Sequence, residues 1–117
     1  MDREKYTWYK LSVSETEIIQ HGYPIKVVEV NGKRICIARF QHEWFGFAYT
    51  CPHSGGILAD GFIDFKGNIV CPLHSYKFNI QNGRNSSGED YFLKTYPVVQ
   101  NSEGVFLGLE NGFQPEE

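Results

Sequence analysis

Two short segments of this sequence each place a cysteine close to a histidine, and no other feature limits the possible folds as strongly. Cys51 precedes His53 by two residues, and Cys71 precedes His74 by three. Between His53 and Cys71 lie 17 residues, so each pair belongs to its own loop. Because each loop offers one thiolate and one imidazole, two such loops can close around a single metal centre from opposite sides. The rest of the chain is expected to form the scaffold that holds them.

The remainder of the sequence has the pattern of a β-rich protein. Helical periodicity is nearly absent, and short runs of β-branched and aromatic residues alternate with turn signals. Asn31-Gly32 is the clearest signal, because Asn-Gly accepts the positive φ angles of a two-residue type I′ turn. Lys66-Gly67 and Asn82-Gly83 predict two further hairpins. About nine strands are predicted, over residues 6–13, 25–30, 33–39, 44–49, 62–65, 68–70, 75–80, 94–100 and 105–109, with a loop over residues 84–90.

Length and composition predict one domain. The chain has 117 residues and a mass of 13.4 kDa, which is enough for one hydrophobic core and too little for two domains. Aromatic residues make up 15% of the chain, and its 12 glycines and 5 prolines suit a fold with many tight turns. We therefore expect a single domain over residues 1–117, an all-β antiparallel sandwich or barrel, with a loop-built subdomain at about residues 49–83.

Charge and cysteine usage exclude several classes of protein. Eleven basic and 14 acidic residues give a formal charge of −3, and without a basic block no nucleic-acid partner is expected. The apolar stretches fall far short of a membrane span, and the charged N-terminal residues lack the apolar run of a signal peptide. Three cysteines are too few for a secreted disulfide scaffold. The expected location is therefore the cytoplasm, without a membrane partner.

The two Cys–His pairs have four possible interpretations. A [2Fe–2S] cluster can be held by two cysteines on one iron and two histidines on the other. A structural zinc site uses the same ligand types in a tetrahedron, Cys51 and Cys71 could instead form a disulfide, or the four residues have no joint role. Zinc fingers usually pair like ligands and carry their histidines on a helix. Mixed ligands in each loop, with no helix predicted near either, favour the cluster.

The segments CPHSGGILADGFID and NIVCPLHSYKFNIQNG resemble the cluster-binding region of Rieske-type ferredoxins, and the resemblance extends over nearly the whole chain. It implies the all-β Rieske fold, with one [2Fe–2S] cluster at the tip of two loops. By this resemblance Cys51 and Cys71 hold the buried iron, while His53 and His74 hold the outer iron near solvent.

The chain departs from the respiratory members of that family at four positions near the cluster. Those members carry an extra cysteine in each loop, joined as a disulfide, where this chain has Gly56 and Leu73. They also have a serine and a tyrosine, whose hydroxyls donate to the cluster sulfurs, where this chain has Tyr76 and Phe78. Because fewer donors stabilise the added electron less, the departures imply a low Rieske potential, roughly −150 mV.

Other residues of the loops are candidates for supporting the cluster. Gly55 and Gly56 permit close backbone approach, so that their amides reach the cluster; the alternative is a simple tight turn. Pro72 fixes φ and stiffens the second loop. If both loops form the tip of the molecule, Ile57 and Leu73 stand beside the ligand histidines, where they shield the cluster or dock a partner.

Several chemistry-bearing residues are expected to lie outside the site. Cys36 is predicted to be a small core residue of a strand, and His21 and His42 are predicted to be solvated loop histidines. Four acidic side chains either form a collar that faces a basic partner or belong to an ordinary surface: Asp60, Asp64, Glu89 and Asp90.

These observations predict a one-electron carrier that is not a complete catalyst alone. The sequence has no G-x-G-x-x-G motif for a nicotinamide or flavin cofactor and no room for an oxygen-activating iron domain. The resemblance implies partners on both sides: a flavin-containing reductase, and a terminal oxygenase or the large subunit of a nitrite reductase. Within the family it leaves two assignments, the ferredoxin component of a ring-hydroxylating dioxygenase system and the small subunit of a nitrite reductase. The competing class is a non-redox, zinc-stapled β module that only binds a partner.

Overall fold

The structure is a computed structural model, and it describes residues 5–11, 25–52, 55–73, 76–86 and 91–110. Within these residues the chain is nearly all antiparallel β-sheet, as predicted, with a short 3₁₀ turn at Leu58–Asp60. None of its described helical segments is long and apolar enough to cross a membrane. The described strands are β1 (Tyr6–Leu11), β2 (Lys26–Val30), β3 (Lys33–Phe40), β4 (Glu43–Ala48), β5 (Phe62–Ile63), β6 (Asn68–Val70), β7 (Lys77–Asn79), β8 (Thr95–Tyr96), β9 (Val98–Asn101) and β10 (Gly104–Glu110).

The strands form three sheets. A four-stranded sheet has the order β2-β3-β4-β8, a three-stranded sheet has the order β1-β10-β9, and a smaller sheet has the order β5-β6-β7. The small sheet lies entirely within the segment that carries both Cys–His pairs. This segment therefore adds a sheet of its own to the two larger ones.

Strand β3 lies between two hydrophobic cores, one on each face of the four-stranded sheet. Ile35 and Ile37 belong to a core shared with β1 and β10, whereas Cys36 and Ala38 belong to a core shared with the small sheet. Because successive side chains of a strand point to opposite faces, a strand covered on both sides is buried at every position. This explains why residues 35–38 of β3 form a continuous apolar run rather than an alternating one, whereas Lys33 and Arg34 at the start of the strand are not buried.

Two tight turns flank β3. Asn31 and Gly32 have φ angles of 55° and 80°, which confirms the predicted Asn-Gly turn between β2 and β3. The turn between β3 and β4 has the same sign of φ at Gln41 (53°) and His42 (69°), although neither residue is glycine. The second turn therefore holds two side chains in the left-handed region that L-residues usually avoid.

The predicted strand over residues 94–100 is in fact two strands that belong to different sheets. Strand β8 pairs with β4, whereas β9 pairs with β10, and Pro97 lies between them. Proline has no N–H to donate to a ladder, although its carbonyl oxygen still accepts a bond from Gly108 N at 2.9 Å. The chain thus changes sheets at Pro97, and this break makes ten described strands instead of about nine.

The predicted strand over residues 62–65 ends early, at Ile63, because Asp64 begins the hairpin turn. The Asp64 carboxylate accepts hydrogen bonds from the backbone N–H groups of Lys66 at 3.0 Å and Asn68 at 2.9 Å. Gly67 has a φ of 87° within this turn, as the predicted Lys66-Gly67 hairpin requires. The first strand is described as far as Leu11, and the last two residues of its predicted range, 12 and 13, lie outside the described residues.

Candidate metal centre

The first cysteine begins a loop that leaves the four-stranded sheet after β4. The N–H of Cys51 donates to the carbonyl oxygen of Gly56 at 2.8 Å, and the N–H of Gly55 donates back to Cys51 O at 2.9 Å. A bridge between Thr50 and Ile57 closes the base of this loop. Gly55 has a φ of 78°, which a side chain would oppose, so glycine is required for the return of the chain.

The second cysteine begins a loop of the same kind between β6 and β7. The N–H of Cys71 donates to the carbonyl oxygen of Tyr76 at 2.8 Å, five residues further along, as Cys51 does to Gly56. We call residues 51–56 the Cys51 loop and residues 71–76 the Cys71 loop. Each loop thus holds its cysteine at the first position, where the preceding backbone is anchored by a strand or a bridge.

Both cysteines are buried, and they belong to the same hydrophobic core. The exposed fraction is 2% for Cys51 and 0% for Cys71. They are present as thiols rather than as a disulfide, which argues against the Cys51–Cys71 disulfide. Phe78 is also fully buried in this core, so the residue that replaces a hydroxyl donor of the respiratory proteins offers only apolar atoms there.

The two loops touch each other at Gly56. A β-carbon on Gly56 would lie 3.2 Å from the Sγ atom of Cys71 and 3.1 Å from Cγ of Leu73. The lack of a side chain at Gly56 therefore leaves room beside a buried sulfur at the junction of the loops. Two buried thiols on adjoining loops, with a cradle that a β-carbon would fill, fit a thiolate-bound cluster.

The predicted histidine ligands, His53 and His74, lie outside the described residues. Among the residues that the structure does describe, no group of three or more potential metal ligands comes together. The fold thus places both cysteines in one buried core on adjoining loops, and the assignment of all four ligands stays a prediction.

The other predicted supporting residues lie on the rim of the site. Ile57 and Leu73 are partly exposed, at 39% and 46%, as expected for apolar residues at a tip. Pro72 is exposed, and Tyr76 is half-buried against the core that contains both cysteines. The ring of Tyr91 meets the ring of Tyr76 edge-on, with 6.5 Å between the ring centres.

The contact between Tyr76 and Tyr91 could not be predicted from the sequence. Tyr91 follows a polar segment and has no periodic pattern around it, so nothing local connects it with the Cys71 loop. A second contact at this end joins Arg34 to the residue two before Cys51. The Arg34 guanidinium lies 5.4 Å from the ring centre of Tyr49, and its Nη1 atom donates to the Tyr49 hydroxyl at 3.4 Å.

The residues expected to lie outside the site are placed as follows. Cys36 is fully buried in the core, as predicted, and burial raises the pKa of its thiol to about 12. His42 is exposed in its turn, whereas His21 lies outside the described residues. Asp64 is not available to an acidic collar, because its side chain is mostly buried and is used by the β5–β6 turn. Asp60 is exposed, and Glu89 and Asp90 lie outside the described residues.

The fold and the paired cysteine loops are those of a known class. The Rieske [2Fe-2S] domain matches residues 7–97 of this chain, which therefore belongs to the Rieske [2Fe–2S] domain family. Within that family the chain resembles Rieske ferredoxins, and its cofactor is a Rieske [2Fe–2S] cluster.

Two relatives illustrate this similarity in sequence. The ferredoxin component of the naphthalene 1,2-dioxygenase/salicylate 5-hydroxylase systems of Ralstonia sp. is 33% identical over 86 residues, which cover 71% of this chain and 80% of that protein. The ferredoxin component of the naphthalene 1,2-dioxygenase system of Pseudomonas aeruginosa is 30% identical over 83 residues, or 70% of this chain and 79% of that protein.

Solved structures show the same fold at lower identity. A putative NADH-dependent nitrite reductase small subunit from Mycobacterium tuberculosis superposes with a TM-score of 0.77 at 15% identity, over 89% of this chain and 96% of that one. A chain from the complex of reduced oxygenase and oxidised ferredoxin in carbazole 1,9a-dioxygenase has a TM-score of 0.72 at 22% identity, over 86% and 91% of the two chains.

Proposed function

We propose that this protein carries single electrons from a flavin-containing, NAD(P)H-dependent reductase to the terminal oxygenase of a ring-hydroxylating system. The observation that carries the proposal is the junction of the Cys51 and Cys71 loops, where the buried Cys71 sulfur lies beside Gly56 and both cysteines belong to one buried core. The two relatives described above are ferredoxin components of dioxygenase or hydroxylase systems, which supports an oxygenase rather than another acceptor.

In this proposal Cys51, His53, Cys71 and His74 hold the cluster. The whole chain of residues 1–117 acts as one domain, and residues 49–83 form its cluster-binding subdomain. When bound, the cluster supplies a centre that takes up and releases one electron without a hydride step. The chain contributes rigid loops, because the bonds from Cys51 N to Gly56 O and from Cys71 N to Tyr76 O fix the backbone of both cysteines.

The surroundings of the cysteines support a low reduction potential. An oxidised cluster with two thiolates and two neutral imidazoles is uncharged, so that reduction adds one negative charge to the site. Apolar neighbours and a shortage of hydroxyl donors stabilise this charge poorly, and Phe78 is an apolar neighbour in the same buried core. We expect a midpoint potential of roughly −150 mV, and a value above about +100 mV would contradict the assignment of Tyr76 and Phe78.

The ligand assignment is tested by substituting each ligand beside a matched residue of the same type. Cys51→Ser, Cys71→Ser, His53→Ala and His74→Ala are expected to abolish or alter the red-brown colour and the low-average-g signal of the reduced protein. Cys36→Ala and His42→Ala are the controls, and they should leave both spectra unchanged. A colourless wild-type protein that binds zinc would overturn the proposal in favour of a zinc-stapled binding module.

The direction of electron flow is tested by capture and by transfer. Cluster-loaded protein immobilised in an extract of its source organism is expected to retain a flavin reductase and a terminal oxygenase through weak, salt-sensitive contacts. The recovered oxygenase should then turn over only when reductase and this protein are both present. Stoichiometric recovery of a large sirohaem protein would instead assign the chain to a nitrite reductase and contradict the oxygenase partner.

A further inference from the structure

Leu73 is an exposed apolar residue in the same loop as a fully buried cysteine. Its side chain is 46% exposed, although Cys71, two residues earlier in the same loop, is fully buried. Gly56 of the other loop is also buried, in spite of its position in a turn-rich segment. Something must therefore cover Gly56 and the Cys71 sulfur from the solvent side.

The contacts of Gly56 identify Leu73 as part of that cover. An added β-carbon at Gly56 would meet Cγ and Cδ1 of Leu73 at 3.1 and 3.2 Å, and Sγ of Cys71 at 3.2 Å. Apart from the adjacent residues of the chain, these three atoms are the nearest heavy atoms, so the same small space is bounded by the leucine side chain and by the sulfur. Leu73 thus reaches across from its own loop and packs on the backbone of the Cys51 loop.

We propose that Leu73 is a positioning residue whose side chain, packed on Gly56, joins the two loops and keeps water away from the Cys71 thiolate. The inference rests on the proposed function, because it assumes that Cys71 ligates the cluster. A side chain at position 56 would crowd Leu73 and the Cys71 sulfur, which would have to move by a few tenths of an ångström. The partial exposure of Leu73 is then the consequence of its role as the outer layer over a buried ligand.

Two measurable consequences follow from an apolar cover at this position. Water and chelators reach a ligand slowly when apolar atoms close the path to it. Substituting a residue that surrounds the ligands typically lowers the affinity of a site for its metal by about 10- to 100-fold. The same cover lowers the local dielectric constant, which disfavours the negative charge that reduction adds. Removing the side chain is therefore expected to speed loss of the cluster and to raise the midpoint potential.

The test compares Leu73→Ala with Val27→Ala in the cluster-loaded protein. Val27 is the matched control because it is an apolar residue of similar exposure, 38%, on strand β2 and outside both loops. Leu73→Ala should bleach about tenfold faster in an iron chelator and should have a raised midpoint potential. Val27→Ala should leave both unchanged, and Leu73→Met should keep both values close to those of the wild type, since methionine fills a similar volume.

A double-mutant cycle with Gly56 tests the contact itself. Gly56→Ala alone should speed bleaching, because its methyl group displaces Leu73. In the Leu73→Ala background the same methyl group fills vacated space, so that the double variant should bleach more slowly than the two single effects predict. Additive effects would show that Leu73 and Gly56 do not act together, and this would overturn the proposal.

The outcomes separate this inference from the proposed function. If the wild type shows a Rieske spectrum and Leu73→Ala bleaches at the wild-type rate with an unchanged potential, the cover is rejected and the electron carrier is kept. If the wild type shows no such spectrum, the proposed function itself fails. Should Leu73→Ala not fold, Leu73→Val gives the same comparison with a smaller loss of volume, and an unchanged bleaching rate there also rejects the cover.

Discussion

A β-carbon on Gly61 would overlap the carbonyl oxygen of Val70, the residue that precedes Cys71. It would also lie 3.3 Å from Cδ of Pro72. The φ angle of Gly61 is −96°, so the close approach of two backbones, and not a left-handed conformation, requires glycine here. Because Gly61 follows the 3₁₀ turn that leads away from the Cys51 loop, this contact fixes the two loops relative to each other through their backbones.

Gly61→Ala is therefore expected to disturb the site as well as the fold. The added methyl group must separate Gly61 from Val70, at a cost of about 1–3 kcal/mol in the free energy of unfolding. Gly32→Ala is the control. Gly32 has a φ of 80°, and an added β-carbon would meet no atom within 4 Å, so this variant is destabilised by backbone strain alone. Urea unfolding measures both variants. Only Gly61→Ala should also speed loss of the cluster, and equal bleaching rates would contradict the link to Cys71.

Substitutions in the two turns that flank β3 are expected to change the stability of the protein in opposite directions. His42 has a φ of 69° without being glycine, so His42→Gly relieves strain and should stabilise the protein by about 0.5–1 kcal/mol. Gly32→His introduces the same strain into the Asn31-Gly32 turn and should destabilise it by a similar amount. Thermal unfolding of the two variants checks the signs. The prediction is wrong if both shift the melting temperature in the same direction.

The carboxylate of Asp64 should make the stability of the small sheet depend on pH in the acid range. Burial alone would raise the pKa of Asp64. Its pKa is nevertheless lowered from 3.8 by hydrogen bonds from the Asn68 backbone, the Asn68 side chain and the Lys66 backbone, and by the charge of Lys77. A lowered pKa stabilises the folded state above about pH 3.8, and this contribution is lost as the pH falls through the lowered value.

Asp64→Asn removes that charge while it keeps the shape of the side chain. At neutral pH it should lower the free energy of unfolding by about 1–2 kcal/mol, because the hydrogen bonds of the turn lose their charged acceptor. The difference from wild type should shrink as the acid limit is approached. Asp60→Asn, at an exposed position, is the control and should have little effect at any pH. A loss that is constant with pH would exclude the carboxylate as its cause.

The buried thiol of Cys36 should weaken the protein in alkali. Burial raises its pKa to about 12 from 9.0, so that between these values the thiol ionises when the chain unfolds but not while it is folded. The Cys36 thiol therefore does not reduce the free energy of unfolding below pH 9.0. Above pH 9.0 the free energy of unfolding falls as the pH rises, by at most about 1.4 kcal/mol per pH unit. Cys36→Ala should flatten this dependence without changing the cluster spectrum. An identical slope in the variant would reject Cys36 as the titrating group.

Local chemistry made the strands and turns predictable. The Asn31-Gly32 turn depends on the φ preferences of its own two residues, and the structure confirms it. The change of sheet at Pro97 was missed because the apolar pattern runs through it, although a proline in a central strand is itself a signal. The spacing of Cys51 and Cys71 indicated two loops of one site for the same local reason.

The contacts across the site could not be predicted, because they join residues that are distant in the sequence. Nothing next to Gly56 reveals that its free space is shared with Leu73 and the Cys71 sulfur. The exposure of Leu73 and the burial of Asp64 depend in the same way on how the small sheet packs. Sequence patterns therefore predicted the ligands, whereas only the packing shows which residues lie beside the Cys71 sulfur.

Ile57 is expected to contact the redox partner. It is 39% exposed, directly follows the Cys51 loop, and lies next to the predicted site of electron exit. Ile57→Asp would place a carboxylate in an interface that excludes water, so that transfer to the partner should slow by about fivefold or more.

Val27→Asp is the matched control, because Val27 is 38% exposed on strand β2, away from both loops in the sequence. Stopped-flow transfer to the captured oxygenase gives the rates, and the cluster spectrum of Ile57→Asp should stay unchanged. If the two aspartate variants transfer equally fast, the partner does not dock on Ile57.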